Sequence, residues 1–313
     1  MADPAVAKLR IGTRGSALAL AQAEAVSKAL TNSKAVGEVE IVPIRTSGDE
    51  TSDGSPPPGG DKARFVREIE RALLDGEVDL GVHSAKDLPA DLPDGLEIAG
   101  VPAREDARDA YVGEVASLRE VPEGARIGTS SVRRRSQLLA VRPDLRIEEM
   151  RGNVDTRLAK LADGDLDGIV LAAAGLRRLG RADEIAFELD AEEMIPAPGQ
   201  GALALEARTD QTSVESLAQT ITDRDGLARL EAERAVVAKL DASCHTPVGV
   251  HAVIDDGRMS LRGYCGLPDG SEWIRDEVEA DASDPESLGH ELAERMRSAG
   301  AAEILKRADE VAA

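Results

Sequence analysis

The sequence predicts an α/β protein of three domains: two similar α/β lobes with a cleft between them, and a small α+β domain with an antiparallel sheet. Three observations predict it. Short apolar strands alternate with segments of helical periodicity in two blocks, roughly 8–102 and 107–195, the pattern of parallel sheets covered on both faces. Residues 247–280 change style, to strand runs broken by the tight-turn signals DDGR and PDGS. The length, 313 residues, suits two or three domains, and 42% hydrophobic residues with only 2% aromatics means cores of Val, Leu, Ile and Ala.

In chain order, LRIGTR (9–14) reads as a strand and SALALAQAEAVSKAL (16–30) as a helix capped by Ser16. VEIVPIRT (39–46) is a second strand. The stretch 47–62, with three prolines, paired glycines and acids, reads as a mobile loop of a length that is usually functional. ARFVREIERALLDG (63–76) has helical spacing and a terminal glycine, and VDLGVHSA (78–85) is a strand. The second block repeats this with ARIGTS as strand, SVRRRSQLLAV as helix, LRIEEMR as strand, NVDTRLAKLADG as helix and DGIVLAAAG as an apolar strand. A helix over 225–240, the antiparallel run and a last helical stretch over about 284–308 complete the chain.

Composition excludes several functions. The start, MADPAVAKLRIG, lacks a basic stretch followed by an apolar run, and no window approaches a membrane span, so a cytoplasmic protein without membrane attachment is expected. Two cysteines and four histidines give no metal cluster or disulfide framework, so no metal is expected. Cys265 alternates in register with Leu261 and Leu267 and is expected in a core. A formal charge of −21 argues against nucleic acid as partner, and the scarcity of lysine beside the acid excess suggests a surface adapted to high salt.

Against that acidity, basic residues concentrate where predicted strands end and helices begin. The first such junction carries Arg14 and Ser16; the next carry Thr129, Ser130, Ser131, Arg133 and Arg134, then Arg151 and Arg157, then Arg177 and Arg178. Ligands of open α/β sheets sit at the carboxyl ends of strands, helix N-termini attract anions, and the guanidinium fork pairs with carboxylate or phosphate. One arginine run is ordinarily a solvated face; four at equivalent junctions point to one cleft and a polyanionic ligand. Lys86 and Asp87 follow an apolar strand, and Cys244 stands in a small-residue loop beside His245.

The segments IGTRGSALAL, FVREIERALLDGEVDLGVHSAKDLP, REDARDAYV, IGTSSVRRRSQL, LRGNVDTRLAKL, LAAAGLRRLG, PAPGQGALALEAR and SCHTPVG, in this order, resemble the porphobilinogen deaminase (hydroxymethylbilane synthase) family. The likeness spans 11–249, and the turn 266–271 carries it further. It implies two lobes like those of periplasmic binding proteins and a third, smaller domain, here 8–102 with 200–220, 103–199 and 221–313. It implies a transferase of tetrapyrrole (haem, cobalamin-type) biosynthesis that condenses four porphobilinogen molecules head to tail into hydroxymethylbilane, releasing ammonia.

The family primes its chain on a dipyrromethane cofactor held by a thioether, which the resemblance places on Cys244. Asp87 matches the catalytic aspartate. Arg14, Ser16, Lys62, Ser84, Lys86, Thr129, Ser130, Ser131, Arg133, Arg134, Arg151, Gly152, Asn153, Arg157, Arg178 and Gln200 match cofactor or substrate contacts. Porphobilinogen carries an acetate and a propionate, so a growing chain is a polyanion and the arginine clusters have a purpose. The partner is this small molecule, with neither nucleic acid nor membrane, and the family inclines to monomers. The cysteine loop reads ASC where the family has Gly-Gly-Cys, and GGDKARF replaces Gly-Gly-Lys-Gly-Leu-Phe. The alternative from another class is a non-catalytic two-lobed anion-binding protein; a nucleic-acid binder using VRRRSQ is opposed by the acidity and the lack of aromatics.

Overall fold

The computed structural model describes residues 6–46, 66–242 and 246–312. Along the chain come β1 (Val6–Arg14), α1 (Ala17–Asn32), β2 (Val36–Ile44), α2 (Arg67–Leu74), β3 (Leu80–Ser84), a 3-10 turn (Ala85–Asp87) and β4 (Leu96–Gly100). Then follow β5 (Asp109–Gly113), β6 (Arg126–Gly128), α3 (Val132–Val141), β7 (Arg146–Glu148), α4 (Val154–Ala162), β8 (Gly168–Ala172), α5 (Ala173–Arg178) and β9 (Phe187–Glu188). The remainder is β10 (Leu203–Arg208), α6 (Thr212–Gln219), α7 (Arg224–Leu240), β11 (Val248–Asp255), β12 (Arg258–Gly266), β13 (Trp273–Asp281), α8 (Pro285–Ser298) and α9 (Ala301–Ala312). The chain divides into two compact units, Met1–Glu105 with Ala202–Leu227, and Asp106–Gly201 with Ala228–Ala313.

Unit 1 is built on a sheet of order β2-β1-β3-β10-β4 and unit 2 on one of order β7-β6-β8-β5-β9. Each has three parallel strands followed by an antiparallel fourth: β10 runs against β3, and β5 against β8. The sheets are therefore mixed, a correction to the parallel sheets expected. The fourth strand in each case is the segment that crosses between units rather than the return from a helical crossover, so nothing forces it parallel. A second correction falls on DGIVLAAAG, where β8 stops at Ala172 and the following alanines open α5, as their helix propensity favours once pairing with β5 ends at Asp109.

Helix starts follow local chemistry. Ser16 caps α1 by accepting from Ala19 N, Ser131 caps α3 by accepting from Arg134 N, and Asn153 caps α4 by accepting from Thr156 N. Helix α1 buries Ala19, Ala23, Val26 and Leu30, a single stripe, against β1 residues such as Leu9 and Ile11. The last helical stretch is two helices, because Gly300 at φ +107 breaks it.

The third sheet, β11-β12-β13, is antiparallel throughout. Its first hairpin closes on Asp256 and Gly257 at φ 45 and 76, the left-handed pair a two-residue turn demands. Helices α7 and α8 cover it around Val236, Val250, Leu261, Cys265, Leu292 and Met296. Cys265 is fully buried as expected, and burial pushes its thiol up to about 12, which leaves it inert. Within unit 2 this sheet is tied to the other: Ser136 Oγ lies 2.6 Å from Tyr264 Oη, and the buried Glu233 carboxylate accepts from Gly199 N at 2.6 Å and Ala252 N at 2.9 Å.

Candidate active site

In unit 1 the strand ends converge on one pocket, lined by Arg14, Ser16, Gln22, His83, Ser84 and Asp87 among others. Arg14 is the last residue of β1, and Ser16 is the cap of α1. Ser84 ends β3 and passes directly into the 3-10 turn that carries Lys86 and Asp87, so the carboxylate sits four residues past His83 at the strand end. Ser84, Lys86 and Asp87 are half-buried. The Ser84 hydroxyl is fixed by Gln22, whose Nε2 donates to Ser84 Oγ at 2.9 Å from α1. Lys62, a predicted contact, lies outside the described residues.

In unit 2 the three consecutive arginines part company. Arg135 is exposed, whereas Arg133 and Arg134 are 4% and 5% exposed and turn inward onto Asp109 of β5, itself fully buried. Arg133 Nη1 donates to Asp109 Oδ2 at 2.8 Å and to Ile195 O at 2.8 Å; Arg134 Nε donates to Asp109 Oδ1 at 2.9 Å and its Nη1 to Val170 O at 2.9 Å. Gln200 Nε2 completes the set by donating to Asp109 Oδ1 at 2.9 Å and Ala107 O at 2.6 Å. Burial alone would push the Asp109 carboxyl up, but the two guanidinium charges overcome it and hold the group far below the usual carboxylate range. Burial, and then the neighbouring Arg133, lowers Arg134. The cluster has two cations and one anion, so it is net positive.

Above it, Arg157 of α4 donates from Nη2 to Ser130 Oγ at 3.0 Å and from Nε to Gly152 O at 2.9 Å. Both acceptors are neutral. Burial, and then the Arg134 charge, lowers this guanidinium to about 10, so it stays cationic at neutral pH. Gly152 adopts φ +118, and a Cβ there would stand 2.8 Å from Thr156 Cγ2. Thr129 is buried and its Oγ1 accepts from Ser131 N at 3.2 Å. Arg178 Nη2 donates to Gly201 O at 2.7 Å.

The structure thus groups Arg14, Ser16, Ser84 and Asp87 in one unit, and Thr129, Ser130, Ser131, Arg133, Arg134, Gly152, Asn153, Arg157 and Gln200 around the α3 and α4 N-termini of the other. Arg151 stands apart: it is exposed and paired with Glu149 at 2.7 Å. Cys244 and His245 lie outside the described residues. Sequence reasoning missed Gln22, His83 and Asp109. Asp109 lies in the quoted REDARDAYV, but its partners are 24 and 25 residues away along the chain.

Guanidinium groups near the strand ends of both α/β sheets, with a carboxylate-bearing turn in one of them, define a multidomain α/β protein with cationic strand ends. Comparison with known proteins gives the family. Residues 9–216 match the family model "Porphobilinogen deaminase, dipyromethane cofactor binding domain", and 227–298 match its C-terminal domain. The porphobilinogen deaminase of Thermus thermophilus is 49% identical over 297 residues, covering 94% of this chain and 97% of that protein. That of Deinococcus radiodurans is 46% identical over 300 residues, covering 95% and 97%. Among solved structures, the periplasmic VFT2 domain of Bordetella pertussis BvgS aligns at 18% identity and TM-score 0.39 over 73% of this chain and 92% of that one. The L-cystine solute receptor of Neisseria gonorrhoeae aligns at 13% identity and TM-score 0.41 over 70% and 86%. Likeness at that level carries no argument, and the fold rests on the sheet topology. The chain belongs to the porphobilinogen deaminase family, with its transferase activity, hydroxymethylbilane synthesis, and its dipyrromethane cofactor. A non-catalytic anion-binding protein is not favoured.

Proposed function

We propose that the chain condenses four porphobilinogen molecules head to tail, with Asp87 as the catalytic carboxylate, Cys244 as the cofactor attachment point, and the strand-end cations as the grip on acetate and propionate groups. The observation that carries this reading is the convergence of Arg14, Ser16, Ser84 and Asp87 on one pocket. The same reading makes the protein a cytoplasmic monomer whose partner is porphobilinogen, without nucleic acid or membrane, and whose charge of −21 suits high salt. No described helix is long and apolar enough to cross a membrane.

The residues fit a dipyrromethane group. Its acid arms need cations whose charge is not already cancelled, and Arg157, with neutral hydrogen-bond acceptors and a cationic neighbour in Arg134, is such a group. Arg133 and Arg134 act from below: locked on Asp109, they supply a fixed positive field rather than flexible arms. When bound, the cofactor supplies the nucleophilic pyrrole carbon on which the chain grows.

Loss of ammonia from porphobilinogen leaves positive charge on the pyrrole. A half-buried carboxylate held by a strand-end turn stabilises that charge in a partly dry site, and accepts the proton released when the new carbon–carbon bond restores the ring. Gln22 orients Ser84 beside it, so the pocket keeps its shape without substrate. Electrospray mass measurement tests the reading. The intact protein should exceed its sequence mass by a two-pyrrole adduct, and Cys244→Ser should lack the adduct and all turnover. An adduct that persists in Cys244→Ser would move the attachment elsewhere.

A further inference from the structure

Behind the Asp87 pocket three titratable side chains are buried together. His83 lines the pocket, is 5% exposed, and places Nε2 3.0 Å from Oε2 of the fully buried Glu206 on β10. Glu70 of α2 is 6% exposed, and its Oε1 has no hydrogen-bond partner. The imidazole lies close over Gly81, where a Cβ would stand 2.8 Å from His83 Nε2. Strand pairing explains the meeting, since Ala204 faces His83 and Glu206 faces Gly81 across β10 and β3, while α2 packs over both. One imidazole among two buried carboxyls is an expensive arrangement for stability alone.

We propose that His83, Glu206 and Glu70 form a buried proton-holding cluster behind the Asp87 pocket, in which His83 is a positioning residue and the cluster's charge sets how strongly the pocket attracts the carboxylates of porphobilinogen. This rests on assigning the Asp87 pocket to porphobilinogen chemistry. Burial, followed by the Glu206 charge, pushes Glu70 up to about 7. The ionisable groups acting on it are Arg67 of its own helix, His83 of β3 and Glu206 of β10, while Arg14 and Asp87 line the pocket that His83 reaches. At about pH 6 Glu70 keeps its proton; at about pH 8.5 the proton has gone to solvent and the cluster is one charge more negative. A ring bearing two carboxylates then binds less well, and its binding near neutral pH draws a fraction of a proton from the buffer onto Glu70.

Steady-state kcat and KM between about pH 6 and 8.5, for wild type, Glu70→Gln, His83→Gln and Asp87→Asn, test this. Wild-type KM should rise about threefold or more across the range, and Glu70→Gln should remove most of that rise. His83→Gln, lacking the imidazole that faces Glu206 at 3.0 Å, should raise KM already at about pH 6. Asp87→Asn should lose turnover by roughly 10²–10⁴-fold at every pH. Superimposable KM profiles for wild type and Glu70→Gln, with Asp87→Asn inactive, would overturn the cluster's role alone. Normal turnover by Asp87→Asn would instead bring down the reading of the pocket, and this inference with it.

Discussion

The fourth strand of each five-stranded sheet delivers one fully buried carboxylate, Glu206 on β10 and Asp109 on β5, and the two are partnered in different ways. Asp109 meets two guanidiniums, and its cluster is positive at any pH the protein meets. Glu206 meets one imidazole and a second carboxyl, and the balance of that cluster shifts near neutrality. The same architectural position thus serves two ends: a permanent cationic field in one unit, and a titratable one in the other. Arginine cannot lose its proton in the working range, whereas a buried glutamate raised to about 7 can.

The sharpest way to break this comparison is Asp109→Asn. It leaves Arg133 and Arg134 buried without a counter-charge, and should cost about 3–5 kcal/mol. Urea denaturation at neutral pH reads the loss. A change under about 1 kcal/mol would mean that Ile195 O and Val170 O satisfy the guanidiniums on their own, and the cluster would not be the electrostatic unit described.

Arg157→Ala separates field from fold. Its hydrogen bonds end on Ser130 and Gly152, both exposed, so stability should move by no more than about 0.5 kcal/mol. Catalysis should suffer more: losing one charge-assisted contact to a carboxylate is worth about 1.5–3 kcal/mol, or about 10–100-fold in kcat/KM. Unchanged kcat/KM would return Arg157 to a surface role.

How much of this was legible in the sequence follows from the range of each interaction. Ser16 could be placed because a cap acts within three residues of itself, and the caps Ser131 and Asn153, expected only as site residues, obey the same local rule. Cys265 could be assigned to a core because alternation is local too. The inward turn of Arg133 and Arg134 could not, since a helix carries consecutive residues round at about 100° each and only the partner strand decides which of three arginines faces in. Nor could His83 and Glu206 be paired, being 123 positions apart in number and joined only by the antiparallel fourth strand that the alternating pattern hid. Among the expected site residues, Lys62 and Cys244 fall outside the described residues, so for them family likeness supplies the only warrant.

The comparison also makes a smaller prediction, about stability against pH. Glu70 sits at about 7 in the folded protein against 4.5 for the free group, so between those values the folded state holds a proton that the unfolded chain has released. Stability from this group is therefore greatest on the acid side and falls as pH rises through that window. Asp109 behaves in reverse, since its folded value is depressed: its contribution is complete at neutral pH and is lost only as pH falls through the acid range. The urea midpoint of wild type should accordingly decline between about pH 5 and pH 8, and Glu70→Gln should flatten that decline by about 1 kcal/mol, a fraction of the full linkage because the buried carboxyls share the effect. Parallel profiles for the two proteins would mean that Glu70 ionises freely in the folded state, and that the contrast between the two clusters is one of geometry alone.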